Sequence, residues 1–139
     1  ILTDIGDART IHPMEKETVG NRFAYMALGL TYGKKGFPVT GPLYKSMQIE
    51  GNKIAVSFDE VGKGLTTYRQ PLTGFEIAGE DREFHPANAH LGKDAQTVVV
   101  SSPEVPHPVA VRYAFKDYVK GCLYNMFGLP VSSFRTDDW

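Results

Sequence analysis

Two periodicities divide the chain. From Val19 onward, apolar residues recur as Val19, Phe23, Met26, Ala27 and Leu30. Steps of 4, 3, 1 and 3 place them on one stripe of an α-helix. Pro13 suits the first helical position, where its missing N–H costs nothing. Glu15 and Glu17 fall in the first turn, where the helix dipole favours acids, and Gly33 suits the C-terminal cap. Ahead of this helix, Ile1 to Ile5 reads as a short apolar strand closed by a Gly6-Asp7 turn. Strand, loop and helix together form the last unit of an α/β pattern.

Beyond Gly33-Lys34-Lys35-Gly36 the period shortens to two. Ile54, Val56 and Phe58 alternate with Ala55 and Ser57, giving one apolar face. Ser46–Glu50 and Lys53–Phe58 flank Gly51-Asn52 and read as a hairpin. Gly74–Ala78, Glu83–Leu91, Gln96–Ser101 and Val109–Phe115 are further strands, with Gly92-Lys93-Asp94 as a second hairpin turn. Strands at this spacing indicate a mainly antiparallel β-sandwich. The expected fold is an α+β fragment, with a strand-loop-helix unit over residues 1–36 and a β-sandwich over 37–139. The aromatic tail from Gly128 to Trp139 is expected to pack rather than hang free.

Composition narrows the partners. Fifteen Lys and Arg against sixteen Asp and Glu leave a net charge of −1. No cationic cluster recommends a nucleic acid or an anionic membrane. No apolar run approaches the ~20 residues of a membrane span. The single cysteine, Cys122, excludes an internal disulfide and a multi-cysteine zinc site. It has no neighbouring base and reads as a packed, inert thiol. The apolar start Ile1-Leu2-Thr3-Asp4-Ile5, without an initiator Met, suggests a piece of a larger protein.

His12 carries the most chemical promise. It sits between the first strand and the helix, at the loop edge where α/β domains gather catalytic groups. Imidazoles titrate near neutrality and serve as general bases. The plainer alternative is a helix-start histidine that only bonds backbone. His85 and His90 lie an odd five residues apart on one strand, a poor metal pair, and His107 is isolated. Arg112 interrupts an apolar strand, either as an ion-pair partner of Glu76 or of an Asp in the tail, or as a carboxylate-binding group. Tyr113, Phe115, Tyr118, Tyr124, Phe127, Phe134 and Trp139 suit core and interface packing better than sugar stacking.

A set of short motifs adds a family. Asp4-Ile5-Gly6-Asp7, Ile11-His12-Pro13 with Lys16, and Val19-Gly20 with Arg22 occur in that order. Gly41-Pro42, Gly74-Phe75-Glu76-Ile77-Ala78-Gly79, Val109 to Ala114, Leu123-Tyr124-Asn125 and the ending Gly128-Leu129-Pro130 to Asp137 come after them. Together they resemble the C-terminal portion of the sialate O-acetylesterases, serine esterases of the SGNH type. The resemblance implies that an acetyl group is removed from a sialic acid, with acetylated xylan or another acetyl ester as the alternative substrate. It implies no metal or cofactor, and a secreted or periplasmic location, lysosomal in a eukaryote.

By the same resemblance His12 is the general base that takes the proton of a serine nucleophile. That serine belongs to an N-terminal portion outside this chain. Ser46, Ser57, Ser101, Ser102, Ser132 and Ser133 lie in strands or the tail. The acid of the triad departs from the family pattern. Arg9 stands three residues before His12, where an Asp is usual. Asp7 is the candidate orienter, Asp4 a second, and a backbone carbonyl a third. The competing reading is a non-catalytic sandwich that binds a carbohydrate or a partner domain.

Overall fold

The computed structural model describes residues 2–139. Ile1 lies outside the described residues, so the expected first strand is tested over Leu2–Ile5. No strand forms there. A strand needs a neighbour to take its backbone hydrogen bonds, and this segment has none of its own. The Ile5 amide instead turns back to the Leu2 carbonyl, and the Thr3 carbonyl accepts a 2.6 Å bond from the Gly121 amide. The Thr3 hydroxyl donates to the Val131 carbonyl at 2.8 Å.

Helix α1 spans Lys16–Met26 and runs on into a π-helical turn, Ala27–Thr31. It starts three residues later than Pro13 suggests. The Val19 amide makes the first long helical bond, to the Glu15 carbonyl, while residues 11–15 remain irregular. Gly33 ends the helix as expected. Its φ of +64° is left-handed, open to glycine at no steric cost. The Lys34 amide closes back on the Leu28 carbonyl at 2.9 Å. Two close approaches tie the helix to the segment before β1, and that segment to the tail. A Cβ on Gly29 would collide with the Val39 side chain, and one on Gly41 with the Pro130 carbonyl.

The rest is a β-sandwich-like pair of four-stranded sheets with a short ribbon. Strands are β1 (Leu43–Glu50), β2 (Lys53–Asp59), β3 (Leu65–Thr66), β4 (Phe75–Ala78), β5 (Phe84–Pro86), β6 (Asn88–Leu91), β7 (Thr97–Ser101), β8 (Ala110–Tyr113), β9 (Tyr124–Asn125) and β10 (Phe134–Arg135). One sheet runs β1-β2-β7-β6 and the other β10-β8-β4-β5, while β3 pairs with β9. All these pairings are antiparallel. The two expected hairpins are β1–β2 and β6–β7.

The single expected strand Glu83–Leu91 is two strands in different sheets. It breaks at Ala87, just after Pro86, whose nitrogen has no proton to give a ladder. The Ala87 amide bonds to the Phe75 carbonyl, and the chain then crosses to the other layer. His85 and His90 are therefore separated by layer, not by opposite faces of one strand.

The core lies between the sheets. Ile54, Val56 and Phe58 from β2, with Val98 and Val100 from β7, face Phe75 and Ile77 from β4 and Val111 and Tyr113 from β8. Each fully buried chain of this size contributes roughly 1.5–3 kcal/mol of hydrophobic stabilisation. Phe134 of β10 links the layers. Its ring lies 5.1 Å from Tyr44 and 5.6 Å from Phe58 in the first sheet, and 5.9 Å from Tyr113 in its own. The tail is packed, as its aromatic content suggests.

Arg112 resolves in favour of the tail. Its guanidinium bonds both carboxylate oxygens of Asp137, at 2.9 and 2.6 Å, and lies 3.9 Å from the Phe84 ring centre. Glu76, its cross-strand neighbour, pairs with Lys116 at 2.8 Å instead.

Candidate functional site

The segment between Thr3 and α1 carries both residues singled out by sequence. It folds as a tight local turn. An isolated bridge joins Asp7 to Thr10, and the Thr10 amide bonds to the Asp7 carbonyl. The Thr10 hydroxyl then accepts the His12 amide at 3.2 Å. His12 comes directly after, exposed on the protein surface just before Pro13.

Asp7 and His12 share this turn, yet no hydrogen bond joins their side chains among the described residues. Asp7 is committed to Arg9. One carboxylate oxygen accepts the Arg9 amide at 2.8 Å and Nε at 3.2 Å; the other accepts Nη2 at 3.3 Å. The Arg9 side chain, and after it the Arg9 amide, hold Asp7 below the usual carboxylate range. Arg9, three residues before His12, thus holds the Asp7 carboxylate.

Asp4, the second candidate orienter, is bound elsewhere. Both its carboxylate oxygens accept from Arg22 of α1 at 2.7 Å. Each side chain is only 9% exposed. Asp4 secures the Arg22 guanidinium in its charged form, its hydrogen bonds outweighing the cost of burial. This pairing is the feature that residue-by-residue reasoning missed. The available signal was an acid before the turn and an arginine on the helix after it.

The turn looks across an open groove of about 580 Å³ towards residues 114–120 of the sandwich. Asp7, Arg9 and Thr10 line one side, and Lys116, Asp117 and Tyr118 the other. Ser133 also reaches this groove. No hydrogen bond ties His12 to Ser133 or to any other serine among the described residues. The described residues thus contain no Ser–His–acid triad.

Other candidates have structural employment. The His85 ring nitrogen lies 3.0 Å from Glu104. Cys122 is buried, with its sulfur taking the Thr73 amide at 3.2 Å. Among the described residues no group of three or more His, Cys, Asp or Glu side chains could hold a metal ion. Among the described residues, no helix is long and apolar enough to cross a membrane.

The N-terminal unit leaves an apolar surface open. Ile11 and Met14 are 90% and 85% exposed, and Leu30 and Tyr32 about as open at 68% and 70%. Phe23, on the expected helix stripe, is 56% exposed. The helix forms, but within this chain the sandwich covers little of its expected apolar stripe.

Comparison with solved structures supplies the context. The crystal structure of a novel carbohydrate acetylesterase from Xanthomonas citri superposes with a TM-score of 0.90 and 39% sequence identity. The match covers 98% of this chain and 31% of that one. The chain is homologous to part of a carbohydrate acetylesterase. It spans about a third of that esterase's length. No protein-family model and no curated protein matches the sequence.

Proposed function

We propose that this chain is a portion of a carbohydrate acetylesterase that is inactive alone and docks onto the portion bearing the serine nucleophile. The observation that carries this reading is the match at 39% identity over nearly the whole chain, against about a third of the esterase. The open apolar surface of α1 and of the turn before it supports a docking role, since patches of this kind mark interaction sites. The occupant is the remaining hydrolase portion, because the homologous esterase has about two thirds of its length outside the matched region.

In the assembled enzyme His12 takes the proton of that serine as it attacks the acetyl carbonyl. The ester carbon–oxygen bond to the sugar then breaks as the imidazolium returns the proton to the leaving sugar oxygen, and a water that gives its proton to His12 displaces the acetyl group from the serine as acetate, the serine oxygen taking that proton back. Asp7 orients His12 through a hydrogen bond to the ring that forms on docking, its second carboxylate oxygen having room for a further donor beside Arg9. The substrate is an O-acetylated sugar. The motif resemblance favours a sialic acid; an acetylated xylan is the alternative. A second reading, a purely non-catalytic module for a carbohydrate or partner, is favoured by the lack of serine and acid partners on His12.

A chromogenic acetyl ester separates them. The isolated chain should give no turnover above buffer. Joined to its nucleophile-bearing portion it should turn over, and His12→Ala should lower kcat by ~10³-fold or more with little change in KM. Near-wild-type kcat in a folded His12→Ala enzyme would remove His12 from the mechanism and leave the module reading.

A further inference from the structure

We propose that Asp4 and Arg22 are positioning residues that clamp the two ends of the turn carrying His12. This rests on the esterase reading for its catalytic consequence, but the clamp itself does not. Between Asp4 and the start of α1 the chain holds itself together by short, exposed contacts such as Asp7 to Arg9, Asp7 to Thr10, and Thr10 to His12. Exposed contacts of this kind hold little, since water competes for every partner. The Asp4–Arg22 pair differs in kind. It is buried, bidentate at 2.7 Å on both arms, and spans 18 residues.

The clamp is itself anchored to the sandwich. Thr3, one residue before Asp4, is bonded to Gly121 and Val131. Gly121 sits so close that a Cβ there would lie 3.1 Å from the Thr3 carbonyl oxygen. Arg22 rises from the helix on the other side of the turn. The entry and exit of the His12 segment are thereby fixed to one buried point beside β9. A base must meet its nucleophile within a few tenths of an ångström, and a 1 Å misplacement can cost about 10²-fold in rate.

The test uses Asp4→Asn and Arg22→Lys, each read in two ways. In this chain, trypsin cleavage after Arg9, monitored by mass spectrometry, should accelerate about tenfold or more while the thermal transition of the sandwich persists. In the assembled esterase, kcat should fall about 10²-fold with KM changed less than threefold, and Asp4→Glu should restore much of the loss. Unchanged cleavage after Arg9 in both folded variants overturns the clamp, whatever happens to activity. Faster cleavage in variants whose kcat stays within threefold overturns the positioning role. If His12→Ala itself leaves kcat intact, the esterase reading fails while accelerated cleavage still upholds the clamp. Should Asp4→Asn fail to fold, Arg22→Lys retains the charge in the buried site and carries both readouts.

Discussion

Replacing Tyr113 with Phe removes one oxygen from the middle of the sandwich. Tyr113 is fully buried, with its ring 4.6 Å from Phe75 and 5.9 Å from Phe134. Those contacts survive in phenylalanine. What disappears is an acceptor for two backbone amides, Cys122 at 3.1 Å and Leu123 at 3.2 Å. Both residues are buried, so neither amide finds water. An orphaned buried donor costs about 1–3 kcal/mol, which gives roughly 2–6 kcal/mol for the pair. For a chain of this length that is a fall in Tm of roughly 6–18 °C.

A second measurement bears on the same oxygen. Burial pushes the Tyr113 phenol up to about 12 from 10.0, while the two amide bonds pull the other way. The folded state therefore favours the neutral phenol. Stability from this group is complete below pH 10 and is lost as pH rises through 12. Thermal melts monitored by circular dichroism at pH 7, 9, 10, 11 and 12 test both points. The gap between wild type and Tyr113→Phe should be wide at pH 7 and narrow steadily above pH 10. A gap under 2 °C at pH 7, or one constant across the alkaline range, would refute the reasoning. The amides involved adjoin Gly121, where Thr3 is anchored, so the same variant should also loosen the turn before α1.

Two further perturbations separate surface from core and acid from base. Phe23→Asp with Leu30→Asp should leave the melting of this chain within about 0.5 kcal/mol, since both side chains are more than half exposed. The double variant should nevertheless abolish association with the hydrolase portion by size-exclusion chromatography; retained association would mean that another face docks. At the other end, the Arg112 side chain holds the Asp137 carboxyl below its ordinary range. That stabilisation is present above the unfolded carboxyl's pKa of ~3.9 and is lost as pH falls through the lower folded value. Asp137→Asn should therefore cost about 3 kcal/mol at pH 7, as expected for a buried pair broken on one side. Its deficit should shrink as pH falls below the ordinary carboxylate range in a Tm–pH series; a deficit independent of pH would count against it.

What the sequence determined on its own was local. The alternation at Ile54, Val56 and Phe58, the Gly51-Asn52 turn, the helix before Gly33 and the left-handed Gly33 itself all arise from chemistry within a few residues, and each is present. The order of short motifs was also enough to indicate an acetylesterase-like protein, because residue order is the part of homology a sequence records directly. Tertiary structure decided whatever needs a distant partner. Leu2–Ile5 looks like a strand, but no neighbouring strand takes its hydrogen bonds, so it turns. Glu83–Leu91 reads as continuous, but Pro86 and the competing edges of β4 and β7 divide it between two sheets. Asp7 is the first candidate on paper and Asp4 the second; only the fold delivers Arg22 to Asp4 and leaves Arg9 on Asp7. Hydrogen bonds and ion pairs form between groups brought within about 3 Å, and that proximity is set by the packing of the sandwich and α1 rather than by spacing along the chain.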